Sequence, residues 1–378
     1  MSLMLASSMM YAVDVNGGFM TPQGIYRTYT LHIPSGYNGS DSIPLVINLH
    51  GGNGSASQQA SFSQMNPKAD AEGFFVLYPN GTMLPTDYTG WNAGEWTNST
   101  VDDVAFISVL IDTMVENYRI DTLRIFATGF SLGAMMCHTL ACELSERIAA
   151  VAPVEGGLTK DDWNSCQPQR LIPIIHFHHR YDGSVPYYGN PANKWTPPID
   201  SVLRHWANVN GCAIGPDTFF NDSGALRQVW SREDDSCEVM FWTLEQGNGH
   251  AWPGSLLGSK ELSANDEMWE FFKAHPLPVK KVEPGIEERP GPSFSLDVDC
   301  SGFFRNPVPI RFTLENSEYV ILDLFDAAGR KTVTLIDGVM SRGEHTIFLD
   351  AGSLESGVYF TRLATSGNRA VGVVRIIN

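Results

Sequence analysis

The pentapeptide Gly129-Phe130-Ser131-Leu132-Gly133 joins a strand-like run, Arg124 to Thr128, to a helix-like one, Ala134 to Leu144. Glycines flanking a serine at a strand-to-helix junction let the backbone bend sharply. The bend presents the hydroxyl at the top of a sheet, over the N-terminus of the following helix. A chain carrying this junction needs a sheet below it and partners for the serine on neighbouring strand ends.

The surrounding pattern supplies that sheet. Tyr26 to Ile33, Pro44 to Leu49, Phe74 to Tyr78, Ala149 to Val154, Leu171 to Phe177 and Val239 to Leu244 read as strands. Val101 to Tyr118 carries Val104, Ile107, Leu110, Ile111 and Met114 at helical spacing. Ile199 to Asn210, ended by Gly211, and Glu261 to Ala274 also read as helices. Strands alternating with helices predict an α/β fold with a mostly parallel central sheet covered on both faces.

The pattern changes near Pro276. Residues 276–293 are rich in Pro and Glu and lack periodicity, as a stiff solvated linker does. Beyond it Tyr319 to Phe325 alternates, and Gly329-Arg330, Asp337-Gly338 and Ser366-Gly367 mark turns at the spacing of a small all-β, Ig-like sandwich over 294–378. The first large domain is expected over 23–275. Residues 1–22 are expected to be a leader or residual signal region, because Met1 to Ala12 is apolar yet lacks the basic start of a complete signal peptide.

Charge narrows the partners. With 25 Lys and Arg against 42 Asp and Glu, the formal charge is −17. Such a chain repels nucleic acid and anionic membranes, so an uncharged substrate is expected. No stretch is long and apolar enough to span a membrane as a helix. The six cysteines, at 137, 142, 166, 212, 237 and 300, form no CxxC pair. Cys137 and Cys142 point in different directions on one helix, whereas Cys212 and Cys237 flank a loop that a disulfide would staple in an oxidising compartment.

A nucleophilic serine needs a base within reach and an acid that orients the base, in the chain order serine, acid, histidine for this kind of elbow. Asp182 follows a strand and sits in His178-His179-Arg180-Tyr181-Asp182-Gly183. His250 follows the last strand in Gly249-His250-Ala251-Trp252-Pro253-Gly254. Asp161 and Asp162 are less well placed, Asp200 reads as a helix N-cap, and His138 lies inside the helix behind the elbow. The N–H groups of Leu132 and of Gly52, in His50-Gly51-Gly52, are the candidate oxyanion donors. His176, His178 and His179 invite a metal reading, but no further ligand is spaced with them, so no metal and no cofactor is expected. Trp91, Tyr187 and Trp252 are candidate substrate contacts. Trp91 reads equally as core, and Trp252-Pro253 as a brace for the histidine loop. Asp102 and Asp103 read as the start of a helix.

From about Gly24 to Ala274 the chain resembles secreted α/β-hydrolase esterases, the group of feruloyl and acetylxylan esterases and poly(3-hydroxybutyrate) depolymerases. The matching residues are Leu49-His50-Gly51-Gly52, Trp91-Asn92-Ala93-Gly94, Val101-Asp102-Asp103-Val104, the elbow, Asp182 with Val185-Pro186-Tyr187, Asn210-Gly211-Cys212, and the His250 loop. The resemblance implies a Ser131–Asp182–His250 triad and favours a Cys212–Cys237 disulfide. It also implies a secreted serine esterase, acting on feruloyl or acetyl esters of plant cell-wall polysaccharide or, alternatively, on polyester; a non-catalytic binding protein on the same fold is the less favoured reading, which the intact triad residues argue against. Ala134 and His179 stand where the group often has glycine.

The tail is similar to the C-terminal sorting domains of type IX secretion. Asn306-Pro307, Phe325-Asp326-Ala327-Ala328-Gly329-Arg330, Gly343-Glu344-His345 and Leu354-Glu355-Ser356-Gly357-Val358-Tyr359-Phe360 carry that similarity. It implies export to the surface or medium and contact with the secretion machinery. A carbohydrate-binding module is the rival. The enzyme is expected to be a monomer.

Overall fold

The computed structural model describes residues 11–21, 23–94, 97–190, 197–247, 249–278, 296–297, 307–314, 317–326, 331–352, 354, 356–365 and 369–376. The first ten residues of the expected leader, most of the linker, Cys300, Asn306, the Ala327–Arg330 and Ser366-Gly367 turns, Glu355 and residues 191–196 lie outside that set. The chain divides into two compact units, Met1–Val279 and Lys280–Asn378.

The first unit opens with strands β1 (Val13–Met20), β2 (Tyr26–Ile33) and β3 (Ile43–Leu49), then helices α1 (Ala56–Ser63) and α2 (Met65–Glu72). Strand β4 (Phe75–Pro79) follows, with a minor hairpin, β5 (Thr82–Met83) and β6 (Thr89–Gly90), and helix α3 (Asp103–Asn117). The elbow joins β7 (Ile120–Phe130) to α4 (Leu132–Glu143). Next come β8 (Ala150–Val154), α5 (Lys160–Ser165), β9 (Ile174–His179) and α6 (Ile199–Val209). Strands β10 (Ile214–Phe220), β11 (Leu226–Ser231) and β12 (Glu238–Leu244) and helix α7 (Ala264–Ala274) close the unit.

Among the described residues ten strands form one sheet in the order β1-β2-β4-β3-β7-β8-β9-β12-β11-β10. The middle six, β4 to β12 in that order, pair in parallel, and antiparallel pairs flank them on both sides. Alternation along β3 shows how the sheet is covered. Leu45, Ile47 and Leu49 join a core with α3, α4 and α6, while Val46 faces a second core with α2 and α7. Helix α3 starts where Asp102 accepts from the N–H of Ala105, and Asp103 turns inward to pair with Arg27 at 2.7 Å.

Three expectations change here. Residues 13–20, assigned to the leader region, form edge strand β1, because Val15 and Phe19 pack on the first core. Pro198, not Asp200, caps α6; Asp200 lies in the first turn and accepts from Arg204 Nε at 3.0 Å. The disulfide joins Cys142, at the end of α4, to Cys166, the C-cap of α5, with Cα atoms 5.0 Å apart. Cys212 and Cys237 are separate buried thiols, and Cys212 Sγ donates to the Cys237 carbonyl at 3.6 Å.

The second unit contains β13 (Leu296–Asp297), β14 (Val308–Leu314), β15 (Glu318–Phe325), β16 (Lys331–Met340), β17 (Gly343–Leu349), β18 (Gly357–Ala364) and β19 (Arg369–Ile376). They pair antiparallel in two sheets, β13-β14-β17 and β16-β15-β18-β19. Val308, Ile310 and Phe312 of one sheet and Val320, Leu322 and Leu324 of the other share a core, as in a β-sandwich.

Candidate functional site

Five parallel strands end side by side, and each delivers part of one site. Ser131 follows β7 with φ +55° and ψ −115°, a strained conformation for a residue with a Cβ. Its surroundings impose that bend. The Ser131 N–H donates to Val154 O of β8 at 2.9 Å. A Cβ at Gly133 would sit 2.3 Å from Leu49 O, and one at Gly129 would sit 2.6 Å from Gly133 O, so no larger residue fits either place.

Asp182 follows β9 in a tight turn. Its Oδ1 accepts the N–H groups of Ser184 (2.7 Å) and Val185 (2.9 Å), which leaves Oδ2 to accept Nδ1–H of His250 at 2.7 Å. Burial alone would raise the Asp182 pKa. The hydrogen bond from His250, with the N–H groups of the turn, holds it below the ordinary carboxylate value. His250 follows β12, and its ring lies 4.7 Å from that of Phe130. Ser131 and His250 both line a cavity of about 340 Å³, with Gly51, Gly52, Phe62 and Phe130 around them.

The loop after β3 supplies the opposite wall. His50 Nδ1–H donates to Gly51 O at 2.7 Å, while His50 Nε2 accepts the N–H of Gly81 at 2.8 Å, which assigns the tautomer. Burial pushes the His50 pKa down, in keeping with a neutral ring. Gly52 lines the cavity beside Ser131. The N–H of Leu132 opens α4, where the first N–H groups have no acceptor within the helix. Leu132 follows the serine in the chain, and Gly52 shares its cavity.

The expected substrate contacts lie elsewhere. Trp91 is fully buried, and its Nε1 donates to His50 O at 2.8 Å. Trp252 is fully buried as well, with Nε1 donating to Asn265 Oδ1 at 3.0 Å. Tyr187 is nearly buried, under the Arg180 guanidinium and beside Phe241. None of the three lines the cavity, and each packs in the interior. Phe62 and Phe130, whose rings meet edge-on at 4.7 Å, line it instead. Phe130 was legible as the variable residue of the elbow; Phe62 had no local signal.

The histidines form hydrogen bonds with their neighbours. His176 Nε2–H donates to His178 Nδ1 at 3.3 Å, and His178 Nε2–H donates to Val185 O at 2.8 Å. Burial pushes His178 down to about 4 and His176 well below its usual value, so both are neutral rings. Glu155, directly after β8, escaped sequence reading. Its one local signal is an acid ending a wholly apolar strand ahead of Gly156-Gly157.

Comparison with known proteins finds esterases among the relatives of this chain. Residues 27–165 match the family model described as esterase PHB depolymerase. The chain is 32% identical over 260 residues to a feruloyl esterase B of Piromyces equi, covering 67% of this chain and 46% of that one. It is 28% identical over 254 residues to a bifunctional acetylxylan esterase/xylanase of Neocallimastix patriciarum, covering 66% and 33%. A probable feruloyl esterase C of Aspergillus terreus is 30% identical over 255 residues, covering 65% of this chain and 83% of its own length. The matched stretch thus spans less than half of the first two relatives.

Proposed function

Because the chain belongs to the feruloyl esterase family, we propose that it is a secreted serine carboxylic ester hydrolase that removes feruloyl or acetyl groups from plant cell-wall polysaccharide. The observation that carries this reading is the strained Ser131 sharing one cavity with His250, whose ring is held by Asp182.

In this reading His250 Nε2 takes the proton of Ser131 as its oxygen attacks the ester carbonyl. The N–H groups of Gly52 and Leu132 hold the negative charge of the tetrahedral intermediate. His250 then protonates the departing alcohol, leaving an acyl-enzyme. Water, deprotonated by His250, attacks that acyl group, and collapse returns the proton to Ser131 and frees the acid. Asp182 keeps the imidazole in the Nδ1–H tautomer throughout. No metal or cofactor enters these steps.

The Phe62 and Phe130 rings favour an aromatic acyl group, since edge-on aromatic contacts orient a flat ring. Polyester cleavage is the second reading, supported by the family model matched over residues 27–165. Export through the C-terminal sandwich, with the secretion machinery as its partner, is part of the same proposal. Initial rates on methyl ferulate, acetylated xylan and a soluble hydroxybutyrate oligomer, with Ser131→Ala as blank, test it. Preference for either of the first two supports the polysaccharide esterase. Preference for the oligomer moves the enzyme to polyester degradation.

A further inference from the structure

Glu155 is a fully buried acid for which ester hydrolysis by Ser131, His250 and Asp182 has no direct use. It has φ +54°, a left-handed conformation uncommon for a residue with a side chain. Its own N–H donates to Phe177 O at 3.0 Å, which ties the end of β8 to β9. Both carboxyl oxygens accept the main-chain N–H of His179 at 3.1 Å, and Oε1 is in short contact with His179 Nδ1. His179 in turn governs the acid of the triad, because the N–H of Asp182 donates to His179 O at 3.2 Å. Glu155, Asp182 and His250 each offer an atom within 4.8 Å of the others.

We propose that Glu155 is a positioning residue that stays a neutral carboxylic acid, clamps His179, and so seats the Asp182 turn behind His250. Two carboxylates in one dry pocket do not both ionise at modest cost, and the better-solvated one keeps the charge. Asp182 has the N–H groups of Ser184 and Val185 and the His250 proton. Glu155 has the shared His179 N–H, the His179 ring and the Asp182 carboxyl beside it, and no cation.

The titratable groups facing Glu155 are Asp182, His178, His179 and His250. Burial first, and then the charge of Asp182, pushes Glu155 well above the usual carboxylate range. Burial pushes His179 and His178 down, so neither ring supplies a compensating charge. The protonated Glu155 then shares its O–H with the Asp182 carboxylate beside it while staying in contact with Nδ1 of a neutral His179, and Asp182 faces an uncharged wall.

Glu155→Gln and Glu155→Ala separate this role from a charged one. The amide keeps a neutral donor for His179, so Glu155→Gln retains kcat and the acid limb of the kcat/KM profile against pH. The alanine variant loses the clamp. Its kcat falls roughly 10- to 100-fold with KM unchanged, the size expected when a distant change misplaces a catalytic group, and its acid limb moves. A Gln variant as impaired as the Ala variant overturns the neutral state, and two variants with wild-type kinetics overturn the positioning role. A second measurement needs no substitution. In wild-type protein carrying carbon-13 at the glutamate carboxyl carbons, one resonance keeps its protonated position at neutral pH; ionisation of every glutamate there overturns the proposal. The kinetic arms rest on the triad reading. A wild-type protein without esterase activity would sink that reading, while the carbon-13 titration would still report on Glu155.

Discussion

The indole N–H of Trp91 donates to the main-chain carbonyl of His50 across 2.8 Å, and the two rings lie 5.0 Å apart. This contact fixes the loop that places Gly52 beside Ser131. Trp91→Phe keeps the packing but leaves a buried carbonyl without its donor. We expect a loss of about 1–3 kcal/mol in urea unfolding, the usual penalty for such a group, together with a lower kcat at similar KM. Unchanged stability and kcat would remove Trp91 from the support of the oxyanion loop.

Ser131→Ala deletes the nucleophile from a turn that the main chain and the neighbouring glycines hold. Ester hydrolysis should fall by roughly 10⁴- to 10⁶-fold, the scale seen when one member of a triad is removed. Circular dichroism should remain that of the parent. Near-parental rates on methyl ferulate would reject the triad assignment.

His138 is wholly buried and accepts from Trp206 Nε1 at 3.0 Å; burial pushes its pKa down to about 3. The folded value lies below the unfolded one, so the neutral ring costs nothing above about pH 6.5. Stability is then lost as pH falls below that value, because only the unfolded chain takes up the proton. At pH 5 this amounts to about 2 kcal/mol. His138→Gln keeps an acceptor for Trp206, so its stability loss between pH 7.5 and 5 should be smaller by about that amount. Parallel pH curves for the two proteins would show that His138 ionises equally in both states.

Arg27 and Asp103 form a buried ion pair at 2.7 Å, and Asp103 Oδ2 also accepts the N–H of Asn92. Removing one partner strands the other charge. Asp103→Ala should cost about 3–5 kcal/mol, and changing both residues to leucine should restore part of it. A double variant no better than the single one would mean that the Asn92 contact, not the charge, dominates.

How far the sequence was readable follows from the range of each signal. The elbow is a local motif, and β2 spans the run Tyr26 to Ile33 that alternation marked, because period and turn chemistry act over a few residues. Strand β1 was missed because its residues pair with β2 through an edge register that no local period reports. Trp91 reads equally as cleft or core until the fold sets it against His50. Glu155 and His179 are 24 residues apart and meet only when β8 and β9 pair. The Cys142–Cys166 bond likewise depends on where α5 lies against α4.

β9 and β12 run in parallel with Val239 opposite Ile174 and Leu244 opposite His179. That alignment sets where the loops carrying Asp182 and His250 leave the sheet. A slip of one residue would displace one strand end by about 3.3 Å and turn its side chains to the other face. An insertion in the middle of either strand would then silence the site while leaving every one of its side chains in the chain, so the bookkeeping of reactivity is written in the lattice of main-chain hydrogen bonds beneath it.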